Sequence, residues 1–208
     1  MGWYARVLFP RFLDFFISAP PLARCRQTLL ANVQGDVLEV GFGTGLNLPY
    51  YPSHIRRLTT VDVNPGMHAL AQQRIRQSPI SVDYRILNGE SLPMPDHTFD
   101  SVVSTWTLCS IKNVARALRE IRRVLKPEGR FFFVEHGLSD DPRVQRWQHR
   151  LNPLQKRIAD GCHLNRNVRE LIAAQQFYLV EIHQFYIDRY PKILGYMYQG
   201  IAAPVRAP

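Results

Sequence analysis

An open α/β fold, with a parallel sheet covered by helices on both faces, is the class this sequence predicts. Three observations carry it. Short apolar runs recur between stretches of helical periodicity. The first run, "VLEV", ends in a glycine loop, as strands do where helices cross over a sheet. A later run, "RFFFV", is continuously apolar, which suits a strand buried on both faces.

The elements follow in order. Asp36 to Val40 reads as a buried strand ended by Gly41-Phe42-Gly43-Thr44-Gly45. Leu58 to Val63 is a second strand, and Pro65 suits the first position of the next helix. There Met67, Leu70, Ala71 and Ile75 share one face. Ile80 to Leu87 and Phe99 to Thr105 are the third and fourth strands. Val114, Ala117, Leu118, Ile121, Val124 and Leu125 form an apolar stripe on a helix that stops at "KPEG". Arg130 to His136 is the fifth strand. Beyond Gly137, residues 144–159 and 166–175 have helical character. The strand-like runs "FYLVEIHQF" and "GYMYQGIA" come last.

Composition narrows the class. With 208 residues, 46% hydrophobic and 21% charged, the chain is an ordinary globular domain. The formal charge of +9 comes mainly from arginine, since lysine stands only at Lys112, Lys126, Lys156 and Lys192. Such charge permits attraction to nucleic acid or an anionic membrane, but arginine spread over solvated faces is the simpler account. No basic run with interleaved aromatics is present, which speaks against nucleic acid as a partner. Cys25, Cys109 and Cys162 have neither metal-ligand spacing nor an even count. No metal is expected from them, and a reducing, cytoplasmic compartment is. The N-terminal apolar stretch holds Arg11 and Asp14 and stops at Pro20-Pro21, too short and too charged to span a bilayer. Met1-Gly2 opens like an acylation signal, but Arg6 stands where Ser or Thr is needed. Two readings of this arm remain: a lid on its own domain, the commoner role of amphipathic segments, or a helix in peripheral contact with a membrane surface.

The glycine loop selects its ligand by charge and spacing. A triphosphate loop needs Gly-Lys-Ser/Thr, which is absent. A dinucleotide loop needs its third glycine one residue later than Gly45. Glu39, two residues ahead of the loop, would repel a pyrophosphate by about 4 kcal/mol at ~4 Å and an effective dielectric near ~20. It would instead stabilise an ammonium or sulfonium. S-adenosyl-L-methionine carries both. Asp62, at the end of the second strand, suits ribose hydroxyls, and Asn88-Gly89 after the third suits an adenine edge.

Four motifs, "VLEVGFGTG", "VDVNPGM", "LPMPDHTFDSVVS" and "LREIRRVLKPEGRFFFVEHG", resemble class I S-adenosylmethionine-dependent methyltransferases over most of the chain. The resemblance implies a Rossmann-like open sheet, mostly parallel with an antiparallel last strand. It implies one methyltransferase domain over 1–208, with an arm at 1–30, a cofactor-binding core at 31–137 and substrate-side elements at 138–208. Glu39, Gly41, Gly43 and Gly45 then surround the methionine part of the cofactor, and Asp62 holds ribose. Asn64 and Met67 lie beside the adenosine, Asn88 and Gly89 at the adenine, and Thr105 ends the fourth strand against the cofactor. Asn88 departs from the family's usual Asp, keeping an acceptor oxygen and losing a charge. The product would be S-adenosyl-L-homocysteine. "TLCSIKN", "VEHG" and "DGCHLNR" resemble more narrowly the subgroup containing membrane-associated alkyl-thiol methyltransferases and bacterial relatives.

A thiol or hydroxyl acceptor requires a base, and His136 and His163 are the candidates. His136 reads equally as a strand-end histidine satisfied by backbone, and Cys162 as a packing cysteine. Arg166 is a further candidate for acceptor contact, and Trp106 and Thr107 for the walls of its site. After the fourth strand stands "STWTLCS" rather than the Asp/Asn-Pro-Pro-Tyr/Phe of base methylation. The expected acceptor is small and fairly apolar: a thiol, an amine or a lipid-like molecule. The alternatives are a quinone or phospholipid methyltransferase at the membrane surface and a non-catalytic, RNA-associated cofactor binder.

Overall fold

The computed structural model describes residues 7–205, so Met1, Gly2 and Arg6 lie outside the described residues. Strand β1 (Val37–Val40) is an inner strand of a seven-stranded sheet. On one side it pairs in parallel with β2 (Arg57–Asp62), and β2 with β3 (Ser81–Ile86). On the other it pairs in parallel with β4 (Phe99–Thr105), and β4 with β5 (Leu125–His136). Strand β7 (Tyr196–Pro204) runs antiparallel between β5 and β6 (Phe177–Tyr186), giving the order β3-β2-β1-β4-β5-β7-β6. The strand order reverses between β1 and β4, and open α/β sheets form their ligand crevice at such a point.

Both faces of the sheet are covered because successive apolar residues of β4 and β5 point to opposite faces. Val102, Phe131 and Phe133 point to the face packed by Leu118 and Ile121 of α4 (Val114–Val124) and by Ile172 of α6 (Val168–Ala173). Val103, Phe132 and Val134 point to the other face. There they join Leu22, Leu29 and Leu30 of α2 (Pro20–Leu30) and Ala71 of α3 (Pro65–Gln77). Asn64 caps α3, its side chain accepting from the Gly66 N–H.

One expectation is refined and one changes. Pro20-Pro21, where the apolar stretch stops, opens a new helix within the arm: the prolines occupy the first turn of α2, where a missing N–H costs nothing. The preceding α1 (Phe9–Ile17) is a separate helix. The "KPEG" segment ends α4 at Val124, but the strand starts at once, with buried Leu125 paired to Phe99. Leu125 to Arg130 matches only Phe99 to Ser101, so residues 126–129 form the irregularity between the two registers. Two further helices, α5 (Pro142–Ile158) and α7 (Lys192–Gly195), complete the fold. Among the described residues no helix is long and apolar enough to cross a membrane.

Leu118 has no exposed surface and sits where α4 meets β4 and β5. Leu118→Ala is expected to lower unfolding free energy by about 2–5 kcal/mol in urea titrations, with cofactor affinity of the folded fraction unchanged.

Candidate active site

The glycine loop is held from both sides. Gly41 has φ +82°, and its N–H donates to the Val61 carbonyl (2.9 Å), carrying the chain over β2. A Cβ at Gly41 would overlap the Thr107 side chain, so the loop and the segment after β4 meet only because this residue lacks one. Gly43 (φ +57°) donates its N–H to Asp62 Oδ2 (2.7 Å). A Cβ there would meet nothing within 4 Å, so the loop faces open space against which a ligand can lie.

Beneath the loop lies a buried polar chain. Asn47 Nδ2 donates to Glu39 Oε1 (2.8 Å) and to Thr105 Oγ1 (3.1 Å), and the Tyr51 hydroxyl donates to Glu39 Oε2 (2.7 Å). Arg26 of α2, only 2% exposed, donates from Nε to Asn47 Oδ1 (3.1 Å) and stacks over Trp106 at 4.6 Å. Burial pushes the Glu39 carboxyl up to about 8, against the pull of Tyr51, Asn47 and Arg26. Asp62 Oδ1 accepts from the Asn64 N–H (2.8 Å), and burial raises this carboxyl as well. Met67 is buried in the first turn of α3. Asn88 is exposed and accepts from the Glu90 N–H (3.0 Å) in the turn that contains Gly89. From above, Asp14 of α1 accepts from the Thr44 hydroxyl and pairs with Arg74 of α3 (2.9 Å).

The second half of the site wraps a buried carboxylate. Glu135 Oε1 accepts from the N–H groups of Thr107 and Leu108 (2.8 Å each), and Oε2 from Cys109 N–H (3.4 Å). Burial still raises Glu135 to about 7. Next to it, at the end of β5, His136 Nε2 lies 2.9 Å from Cys162 Sγ. Cys109 joins them: one ligand atom from each of Cys109, His136 and Cys162 lies within 4.8 Å of the other two. The Cys109 thiol and the His136 ring hold the Cys162 thiol well below its usual value. His136 Nδ1 is buried and has no hydrogen-bond partner among the described residues.

The structure thus places Glu39, Gly41, Gly43, Gly45, Asp62, Thr105 and His136 at the carboxyl ends of β1, β2, β4 and β5 and in the loop after β1. Cys162 is buried, as a packing cysteine would be, and it meets His136 and Cys109. His163 Nδ1 lies 3.0 Å from the Cys109 carbonyl. Arg166 holds the same segment through the Leu108 carbonyl and the Ile111 carbonyl (2.7 Å). Arg26, Asn47, Tyr51, Cys109 and Glu135 were not expected at the site. Of these, Asn47 and Tyr51 stand just beyond the glycine loop, Cys109 and Glu135 stand in the motifs "TLCSIKN" and "VEHG", and Arg26 carries no signal in sequence.

Two carboxylates bordering a glycine loop with free space suit a sulfonium and a ribose and would repel a pyrophosphate. The comparisons agree. Residues 38–133 match the family described as "Methyltransferase domain". The human thiol S-methyltransferase TMT1A is 35% identical over 182 residues, covering 79% of this chain and 73% of its own length. The chain belongs to the S-adenosylmethionine-dependent methyltransferases. The rat thiol S-methyltransferase TMT1B is 37% identical over 154 residues, 70% of this methyltransferase, which spans 61% of the rat protein's length. A SAM-dependent methyltransferase from Methanosarcina mazei shares the fold, with a TM-score of 0.65 at 20% identity, covering 84% and 95% of the two chains.

Burial of Glu39 links protons to the stability of this methyltransferase. Its folded pKa lies above its ordinary 4.5, so between these values the folded chain keeps a proton that the unfolded chain has lost. Its contribution is full below 4.5 and is lost as pH rises toward about 8. Gln mimics the protonated form. Glu39→Gln should therefore gain on the wild type as pH rises, the Tm difference moving in its favour between about pH 5.5 and about pH 8. A difference constant across that window would refute the link.

Proposed function

We propose that this methyltransferase transfers its methyl group to the sulfur of a small, fairly apolar thiol. The observation that carries the reading is the buried cluster of His136, Cys162 and Cys109 at the end of β5, joined to the glycine loop through Thr107. Two relatives at 35% and 37% identity whose printed names are thiol S-methyltransferase support it.

S-adenosyl-L-methionine, when bound, supplies an electrophilic methyl on a sulfonium. Its positive charge would favour the charged form of Glu39 near Gly41, and Gly43 and Gly45 would let its methionine part lie on the backbone. Asp62 would accept from the ribose hydroxyls, Asn64 and Met67 would flank the adenosine, Asn88 and Gly89 would meet the adenine, and Thr105 would close the end of β4. A thiol attacks poorly until its proton has left, because the thiolate is the nucleophile. His136 is the residue we assign to readying the acceptor, since its ring already lies against a thiol, that of Cys162, and its Nδ1 has no partner among the described residues. Trp106 and Thr107 wall the acceptor site. Helix α1 closes the cofactor side as a lid through Asp14.

Incubation with isotope-labelled cofactor and a panel of thiols, amines, phenols and lipids, read by mass spectrometry, tests the acceptor. Methylation of thiols is expected, and methylation confined to amines or phenols overturns the reading. His136→Ala should lower kcat on thiols by about 100-fold or more while leaving cofactor Kd within about twofold. Asp62→Ala should instead weaken cofactor binding by about tenfold or more in calorimetry, equivalent to ~1.4 kcal/mol.

Contact with a lipid surface is a second reading, favoured by the outer face of the arm. Leu8, Phe12, Phe15 and Phe16 are all exposed, Phe15 by 77%, whereas Asp14 faces the domain. Aromatic residues on an amphipathic helix suit the interfacial region of a bilayer. Full-length protein should co-sediment with anionic vesicles, and a Phe12→Ser/Phe15→Ser double variant should remain in the supernatant. Equal pelleting of the two would remove the case.

A further inference from the structure

We propose that Cys109, His136 and Cys162 form a binding site for one thiophilic divalent metal ion, of the zinc(II) class, with its fourth position open to the acceptor's sulfur. The second half of this statement rests on the thiol reading above. The first half does not.

Three features argue that the site is built. The first is the donor set. Two thiols and an imidazole are the ligands that zinc prefers, and three protein ligands with one open position are the pattern of reactive rather than structural zinc. The second is geometry. A tetrahedral zinc ion holds sulfur and nitrogen ligands about 3.5–3.8 Å apart. The three donor atoms already lie within 4.8 Å of one another, with His136 Nε2 and Cys162 Sγ at 2.9 Å. Side-chain shifts of about an ångström close the site.

The third is anchoring, which is independent for each ligand. Cys109 is fixed by Glu135 at its N–H (3.4 Å) and by the His163 N–H at its carbonyl (2.9 Å). His136 ends a central strand and pairs with Met197 of β7. Cys162 follows a tight turn in which Asp160 (φ +45°) and Gly161 (φ +85°) are both left-handed, and its N–H donates to the Ala159 carbonyl (2.9 Å). Ligands held this way lose little freedom on binding a metal. The charges also close: two thiolates neutralise the ion, and the nearby Glu135 and Arg166 offset each other. The Arg166 guanidinium is held on backbone carbonyls, so it faces the cluster without being a ligand.

In the reaction, an acceptor thiol would enter the open position and lose its proton to solvent, the metal favouring the thiolate while His136 serves as its ligand rather than as a base. The sulfur lone pair then forms the new S–CH3 bond as the methyl–sulfonium bond breaks, that electron pair remaining on the cofactor's sulfur. The products are a thioether and S-adenosyl-L-homocysteine, with no oxidant or reductant consumed.

The test uses full-length protein purified under reducing conditions, loaded with excess zinc chloride and desalted. Elemental analysis should give one zinc per chain, falling at least tenfold in Cys109→Ser and in Cys162→Ser and remaining at one in Cys25→Ser. Circular dichroism and cofactor binding confirm that each variant is folded. Cobalt(II) in place of zinc should give thiolate-to-cobalt absorption in the wild type, and a thiol acceptor should shift the cobalt bands. Zinc content no higher in the wild type than in the folded serine variants overturns the metal site, even if thiols are methylated. A stoichiometric metal with cobalt bands indifferent to thiols overturns the open position alone. Metal binding without turnover of any thiol upholds the site and instead sinks the thiol reading.

Discussion

The approach of Gly41 to Thr107 is the contact on which the rest of the site depends. It joins the cofactor loop after β1 to the segment after β4, and that segment is in turn wound around Glu135 and carries Cys109. A side chain at position 41 would force the two apart, and a shift on one side would be felt on the other. The two halves of the site therefore behave as one packed unit, tied by steric contact rather than by a single strong bond.

Around that contact, this protein handles buried charge in two ways. Glu39 and Glu135 are both buried and both raised, but their partners differ. Side-chain donors from Asn47 and Tyr51 hold Glu39, and Glu39 also feels the positive Arg26. Backbone N–H groups hold Glu135, turning a carboxylate into a template for a loop. The first arrangement leaves a carboxyl that a cationic ligand would favour in its charged form. The second spends most of its acceptor capacity on shaping the chain.

The sheet was legible in the sequence because its strands and helices are written in local periodicity, and the glycine loop because its spacing is a short-range signal. Glu39 and Asp62 could be read for the same reason, each lying at a strand end beside that loop. The cluster of Cys109, His136 and Cys162 could not. Its members belong to three elements, and only the packing of the segment after α5 against the β4 loop brings them together. Local spacing therefore suggested three unrelated cysteines and no metal. Arg26 was hidden for a related reason. In an arginine-rich chain it reads as one more solvated cation, yet Trp106 and Asn47 make a place for it inside. The same holds for Arg74, Arg123 and Arg166, which bond loop carbonyls rather than water alone. Part of the basic composition is internal scaffolding.

The position of β7 has a consequence for how the chain acquires its shape as it is made. Strand β6 leaves the ribosome before β7, yet pairs with nothing in the sheet except β7, and β5 keeps an unpaired edge until β7 arrives. Synthesis thus passes through a stage with two open strand edges, the kind of surface on which nascent chains associate. Insertion of β7 closes both edges in one event and sets Met197 beside His136. Residues far from the cofactor in sequence would then decide when the acceptor side takes form.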